Sequence, residues 1–134
     1  MAWLLDTAAL SEPIRKAPDA GFMARIEKIP ERDLFTSAVC VMELRYGCAL
    51  KGGAALWARI GREILGRVQI LPFGDEEARR CGDLLAALAK AGTPIEIEDA
   101  QIAATALTRG FAVVTGNVRH FQRIAGLRVE SWLA

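Results

Sequence analysis

The chain has 134 residues, 52% of them hydrophobic and 25% charged, and its 17 Lys and Arg against 16 Asp and Glu leave a net charge of +1. This composition excludes a disordered chain, and no apolar run reaches the roughly 20 residues that a membrane span requires. The charge lacks the basic excess typical of dedicated nucleic-acid-binding proteins, so a nucleic-acid substrate has to be argued from a site.

The N-terminus and the cysteines favour a cytoplasmic protein. The residues before Asp6 are too few and too weakly charged for a signal peptide. Cys40, Cys48 and Cys81 are odd in number and form no C-x-x-C or Cys/His pattern typical of a zinc site. We therefore expect buried, reduced thiols that pack as small hydrophobic side chains.

Short apolar runs alternate with longer helical patterns in the first half of the chain. The predicted elements are, in order, a strand at 3–5, helices at about 8–17 and 19–28, a strand at 34–36, and a helix from Ser37 to about Leu50. Pro18 separates the first two helices because a continuous helix cannot hold it there. Ser37 has the hydroxyl that caps a helix N-terminus.

The second half continues the same alternation of elements. A helix follows Gly52 and Gly53, and Gly92 and Gly110 end two long helices. The predicted elements are a helix to about Gly66, a strand at 68–71, helices at 75–90 and 97–109, a strand at 112–115, and a less regular strand at 127–130.

Strands of three to five residues separated by helices are typical of βαβ units. Such units build an α/β fold with a mostly parallel sheet and helices on both faces. No internal repeat, low-complexity tract or linker divides the chain. We therefore predict one domain over residues 1–134, with its ligands at the carboxyl ends of the strands.

Three acidic residues stand at positions where a carboxylate is unusual. Asp6 directly follows the first strand, where it can cap the next helix, point at a ligand, or do both. Glu43 lies in a helix that is apolar nearly all round, so we expect a buried helix and a carboxylate that is ion-paired or metal-bound. Asp99 lies near the start of another apolar helix, where the helix dipole alone could also favour it.

Because these acids share strand ends or apolar helix faces, we expect Asp6, Glu43 and Asp99 to form one cluster. Carboxylates brought together repel one another, and without a cation some of them must take up protons. A hard divalent ion such as Mg²⁺ removes this conflict and keeps several waters for chemistry. Such a site can activate water and stabilise a phosphorane-like phosphate, so phosphodiester hydrolysis is its natural use.

Segments spread from residue 3 to residue 132 carry a family resemblance. They read W-L-L-D-T at 3–7, M-E-L-R-Y-G at 42–47, D-A-Q-I-A-A-T-A at 99–106, T-G-N-V-R-H-F at 115–121 and G-L-R-V-E-S-W at 126–132. On these motifs the chain resembles the PIN-domain proteins and, among them, the VapC-type ribonuclease toxins.

The resemblance implies a PIN-like three-layer sandwich around a sheet of about five strands. It implies an endoribonuclease that depends on Mg²⁺ or Mn²⁺, acts as a toxin on RNA, is inhibited by a small cognate antitoxin protein, and usually forms a homodimer. By motif position Asp6 and Asp99 correspond to metal ligands and Glu43 to the third acid. Asn117 falls where the family places a polar residue that supports catalysis, and we include it in the expected catalytic set.

The chain departs from the family pattern at two positions. Ala8 stands where the family often has Asn, and His120 stands where it has an acid. An imidazole can bind metal or transfer a proton near neutral pH, but a single His is more often a packing or surface residue. These departures leave open a degenerate PIN domain that binds RNA or a protein partner without cleavage. A phosphoacceptor signalling domain fits poorly. Such a domain needs an acidic pair just before its first helix and a lysine after a late strand, and neither is evident in this chain.

The early helices and the helix after Gly53 carry more large apolar residues than a thin sheet layer needs. We expect some of them to form an exposed groove or a dimer seam. The residues concerned are Leu10, Ile14, Phe22, Met23, Ile26, Leu56, Trp57, Ile60 and Leu65.

Overall fold

The computed structural model describes all residues from Met1 to Ala134. Its strands are β1 (Trp3–Leu5), β2 (Leu34–Ser37), β3 (Gln69–Leu71), β4 (Ala112–Val114) and β5 (Val129–Glu130). They form one sheet in the order β3-β2-β1-β4-β5, and every neighbouring pair is parallel. The prediction of a mostly parallel sheet of about five strands is confirmed.

Seven α-helices connect and flank these strands. They are α1 (Thr7–Ser11), α2 (Ala20–Glu27), α3 (Ala38–Lys51), α4 (Gly53–Glu63), α5 (Asp75–Lys90), α6 (Ile97–Arg109) and α7 (Val118–Phe121). All residues of β1 and β4 are buried. Because successive strand side chains point to opposite faces, both faces of the sheet are covered, as the three-layer α/β prediction requires. No helix has the length and apolar character needed to cross a membrane.

The three inner strands, β2, β1 and β4, bring the expected site together. β1 pairs with β2 on one side and with β4 on the other. Since the strands are parallel, their carboxyl ends meet at one edge of the sheet, where Asp6, Ser37 and Thr115 follow the strands or end them. As expected, Ser37 caps α3, its hydroxyl accepting a hydrogen bond from the Val39 N–H at 3.1 Å.

The first helix is shorter than predicted, and one helix was missed. α1 ends at Ser11 instead of continuing to about residue 17, and a 3₁₀ turn follows over Glu12–Ile14. Pro13 explains the difference, because it has no N–H to donate to a carbonyl four residues earlier. α7 has only four residues, which is too short to produce a helical periodicity in the sequence.

The expectations of an exposed groove and of a fully buried α3 were wrong, whereas the alternative of a dimer seam stays a prediction. None of the nine residues proposed for an exposed groove is exposed; each is buried or half-buried. The helix α3, expected to be buried all round, instead exposes Met42, Tyr46 and Leu50, which are 54%, 68% and 66% accessible. Only one side of α3 faces the core, and its buried residues are Val39, Cys40, Leu44 and Cys48.

The cysteines are placed as the sequence indicated. Cys40, Cys48 and Cys81 are all free and buried. Burial raises the pKa of the Cys40 thiol, which lies against the carbonyl of Leu5 at 3.8 Å under the carboxyl edge of the sheet.

Candidate active site

Asp6 is held at the carboxyl edge of the sheet by three contacts. Its N–H continues the ladder by donating to the Val114 carbonyl at 3.0 Å. Its carboxylate caps α1, with Oδ1 accepting from the Ala9 N–H at 2.9 Å. The nearby Thr115 hydroxyl favours the charged form of the same carboxylate. These contacts fix the position of the side chain, and the residue is only 7% exposed.

Glu43 reaches the same region from α3. The hydroxyl of Thr7, in the first turn of α1, donates to Glu43 Oε1 at 2.6 Å. This bond joins the residue next to Asp6 to the second acid and restricts the carboxylate of a half-buried side chain. Glu43 thus stands beside Asp6 with its orientation set by a neutral donor.

Asp99 enters from the first turn of α6 and is accompanied by His120. The side chain of Asp99 is 26% exposed, and its Oδ2 lies 3.9 Å from Nδ1 of His120. Nδ2 of Asn117 lies 2.6 Å from the same His120 nitrogen. The Asn117 N–H donates to the Thr115 hydroxyl at 2.8 Å, which connects this group to the end of β4.

The electrostatics of the three acids support the idea of one cluster. Burial raises the pKa of Asp6, and repulsion from Asp99 and Glu43 raises it further. Burial also raises the pKa of Asp99. His120 lowers this pKa, and the negative charge of Glu43 is among those that raise it. No Lys or Arg lies within ion-pair distance of any of the three carboxylates. The structure has therefore gathered negative charge here without a protein cation to offset it.

The residues fit a divalent ion that keeps part of its water shell. No group of three or more His, Cys, Asp and Glu side chains forms a ready-made metal cage. A closed cage is not what Mg²⁺ requires, because it is usually held by one or two carboxylates together with waters and substrate phosphates. Asp6 and Asp99, two hard oxygen donors with raised pKa values, have the chemistry for that kind of binding.

All of the residues singled out in the sequence lie in this region, and one further residue joins them. Thr115 was not identified as part of the site, yet its hydroxyl stands between Asp6 and Asn117. The signal that could have found it is a hydroxyl residue directly after a fully buried strand. Ala8 lies at the same edge on α1 and is exposed.

Comparison with known proteins gives a consistent set of likenesses. A family model described as "PIN domain" matches residues 3–127. The chain is 33% identical over 138 residues to the tRNA(fMet)-specific endonuclease VapC of Salmonella typhimurium, covering 98% of both chains. It is 34% identical over 126 residues to Toxin FitB of Neisseria gonorrhoeae, covering 88% of this chain and 89% of that protein.

The fold likeness is equally extensive. A solved structure of FitAB bound to a DNA fragment called IR36 superposes with a TM-score of 0.89 at 30% identity. The match covers 98% of this chain and 96% of that one.

Proposed function

The chain belongs to the PIN-domain family, and on that basis we propose that it is a divalent-metal-dependent endoribonuclease, the toxin of a toxin–antitoxin pair. Full-length relatives named as an endonuclease and as a toxin support this proposal. In it, residues 1–134 act as one PIN-like domain.

The observation that carries the proposal is the convergence of Asp6, Glu43 and Asp99 without a Lys or Arg partner. Burial, with a further contribution from the neighbouring acids, raises the pKa of two of these carboxyl groups, Asp6 and Asp99, so their charged forms are less favourable here than in water. A structural ion pair would have supplied a cation. A purely structural cap of α1 would need Asp6 alone, without the acids of α3 and α6. An electronegative site of this kind is suited to a divalent cation and the phosphate that it attracts.

We assign the roles from position and hydrogen bonding. Asp6 and Asp99 would hold Mg²⁺ or Mn²⁺, which supplies Lewis acidity and makes water a better nucleophile when it is bound. Glu43, oriented by the Thr7 hydroxyl, is suited to align the attacking water and accept its proton. Asn117 supports the site through its contact with His120.

The test is direct cleavage of a single-stranded RNA by the purified protein. We expect cleavage with Mg²⁺ or Mn²⁺, none in EDTA, and loss in Asp99→Asn. The matched control is Asp83→Asn, which removes an exposed acid of α5. RNA binding without cleavage of any RNA tested would instead favour the degenerate PIN domain that Ala8 and His120 leave open.

We further propose that a small antitoxin protein inhibits this activity, as the toxin name of a relative suggests. The test is to express the product of the adjacent upstream reading frame together with the chain. A complex of the two proteins that no longer cleaves RNA is the expected result. Failure of that product to bind would count against this pairing.

We also propose a homodimer, supported by the exposed apolar stripe on α3. Met42, Tyr46 and Leu50 are spaced four residues apart and therefore share one helix face. A second copy of the chain that packs on this stripe would remove it from water.

We propose a cytoplasmic location as well. RNA as the substrate and three free cysteines fit this location.

A further inference from the structure

A cavity of about 320 Å³ opens beside the carboxylate cluster. It lies between the outer side of α1, the end of β4 and the C-terminal residues, and Ala8, Ser11, Gly116 and Leu133 are among the residues that line it. This volume is at the small end of the range of pockets that hold small organic ligands. The cavity is thus large enough for one planar group and too small for a folded partner.

The cavity is separated from Asp6 only by two residues that interact with the Asp6 carboxylate, Ala9 and Thr115. Ala9 lines it, and the N–H of Ala9 donates to the Asp6 carboxylate that caps α1. Thr115, whose hydroxyl favours ionised Asp6, lines the cavity from the other side. A group bound in the cavity would therefore be a near neighbour of a phosphate held at the carboxylates.

Aromatic residues and the C-terminal strap (Ser131–Ala134) form the far wall. Trp132 and Phe22 line the cavity with their ring centroids 5.8 Å apart. The strap is bonded to the N-cap residue of α2, because the N–H of Ala134 donates to Asp19 Oδ2 at 3.0 Å. Apolar and aromatic walls that are held in place suit a flat ring more than a flexible aliphatic chain.

The polar end of the cavity carries a fixed donor and acceptor pair. Glu12 is only 4% exposed; its Oε2 accepts from the Asp19 N–H at 2.9 Å and its Oε1 from Arg15 Nη1 at 3.2 Å. A carboxylate has about four lone-pair positions, so Glu12 retains acceptor capacity. The Arg15 side chain is 65% exposed and keeps further N–H donors at the same end.

We propose that this cavity binds an unpaired guanine base of the RNA next to the cleaved phosphate. Guanine presents amino hydrogens that a carboxylate accepts, and O6 and N7 acceptors that an arginine contacts. Glu12 and Arg15, which are three residues apart and hydrogen-bonded to each other, supply those two partners, and the apolar walls enclose the ring. The inference rests on the proposed ribonuclease function, which it extends from a reaction to a substrate preference.

Ala8→Phe is the most direct test of this proposal. Ala8 lines the cavity but is itself exposed. A large side chain at this position can therefore block the opening without disturbing the core. Ala86→Phe, at an exposed alanine of α5 away from the cavity, is the matched control. Melting temperatures of both variants check that each is folded.

The first measurement is the sequence of the ends produced from a randomised single-stranded RNA. We expect wild type and Ala86→Phe to enrich guanine at one fixed position beside the cut. Ala8→Phe should lose this preference, and Arg15→Ala should weaken it roughly tenfold. Cleavage with no base preference, or with one that Ala8→Phe leaves unchanged, would overturn the proposal.

The second measurement does not depend on cleavage. Binding of GMP, AMP, CMP and UMP is measured calorimetrically in EDTA with Asp6→Asn, whose amide oxygen can still cap α1 at the cavity wall. GMP should bind about tenfold more tightly than the others, and adding Ala8→Phe should abolish the difference. Equal binding of all four nucleotides would mean a phosphate contact and would overturn the base assignment. An Ala8→Phe variant that keeps its nucleotide binding and loses only antitoxin binding would also overturn the base assignment. Wild type that cleaves no RNA would defeat the proposed function while leaving this nucleotide test intact.

Discussion

The Nδ1 atom of His120 lies 3.9 Å from Oδ2 of Asp99, and this is the only ion-pair-range contact that any of the three site carboxylates makes. The same nitrogen lies 2.6 Å from Nδ2 of Asn117. The imidazole that replaces an expected acid is therefore in contact with the site. A residue in this place can affect ion binding even where it is not required for folding.

Replacing His120 by Asp should strengthen Mg²⁺ binding. Aspartate adds an oxygen donor beside Asp99, and Mg²⁺ prefers oxygen to imidazole nitrogen. Because an ion bound only by the folded state stabilises it, Mg²⁺ should raise the melting temperature more in His120→Asp than in wild type. Gln122→Asp adds the same charge at an exposed neighbour and is the control. Equal Mg²⁺ effects in all three proteins would exclude residue 120 from ion binding.

The pH dependence of stability should reveal the cost of ionising the buried Asp6 carboxyl group. Its pKa in the folded chain is raised above the ordinary 3.8, chiefly by burial. The folded state therefore binds more protons than the unfolded state, so this group makes stability fall as the pH rises from the ordinary pKa through the raised one.

We therefore expect Asp6→Asn to have a higher melting temperature than wild type in EDTA above this pH window, with the difference shrinking as the pH falls through it. The amide keeps an oxygen that can cap α1, so the helix N-terminus is preserved. Melting curves at a series of pH values measure the effect, with Asp83→Asn as the exposed control. A constant difference at every pH would remove the electrostatic explanation.

The bond from Thr7 to Glu43 should matter for catalysis more than for folding. Thr7→Val keeps the shape of the side chain and removes the hydroxyl that donates to Oε1 at 2.6 Å. Loss of such a supporting bond typically costs roughly 10- to 100-fold in activity or metal affinity. The measurement is the RNA cleavage rate against Mg²⁺ concentration, with Thr93→Val as an exposed control. Unchanged cleavage would mean that Glu43 does not depend on Thr7 for its orientation.

The apolar stripe on α3 gives a prediction about assembly. Tyr46 is 68% exposed at its centre, so Tyr46→Lys places a charge in the middle of the proposed dimer contact. We expect the dissociation constant of the dimer to rise at least about tenfold, because an unpaired buried charge is costly. Sedimentation at several concentrations measures it, with Ile70→Lys on the exposed edge strand as the control. A wild-type chain that is monomeric throughout would refute the dimer.

The sequence predicted the sheet and the gathering of the three acids at its carboxyl edge, because both depend on local signals. A short buried strand followed by Asp6, and long helices bounded by Ser37 or Gly110, can be identified from residue order alone. The exposure of Met42 and Tyr46 could not be predicted, because it depends on which side of α3 the sheet covers. The hydrophobic residues on the two sides of that helix look alike in the sequence.

The cavity could not be predicted from the sequence either. Its walls come from α1, from the end of β4 and from Trp132 near the C-terminus, which are distant in the chain. No periodic pattern connects such segments. Glu12 was also inconspicuous, because its burial results from the 3₁₀ turn that Pro13 introduces after α1.

The last prediction concerns the chemistry of cleavage. If water aligned by Glu43 attacks phosphorus and the bond from phosphorus to O3′ breaks, O3′ leaves and takes up a proton, and the products carry a 5′-phosphate and a 3′-hydroxyl. If the ribose 2′-hydroxyl attacked instead, a cyclic 2′,3′-phosphate would remain on one fragment. The ends are distinguished by end labelling and by mass spectrometry of the fragments.

The carboxylate variants should behave as parts of one unit. Asp6→Asn, Glu43→Gln and Asp99→Asn should each lower cleavage by roughly two orders of magnitude or more, and double variants should be little worse than single ones. His120→Ala should lose less than any of them, because His120 contacts the cluster without contributing a carboxylate. Multiplicative losses in the double variants would indicate separate roles, and cyclic phosphate ends or cleavage that persists in EDTA would refute the metal-assisted attack of water.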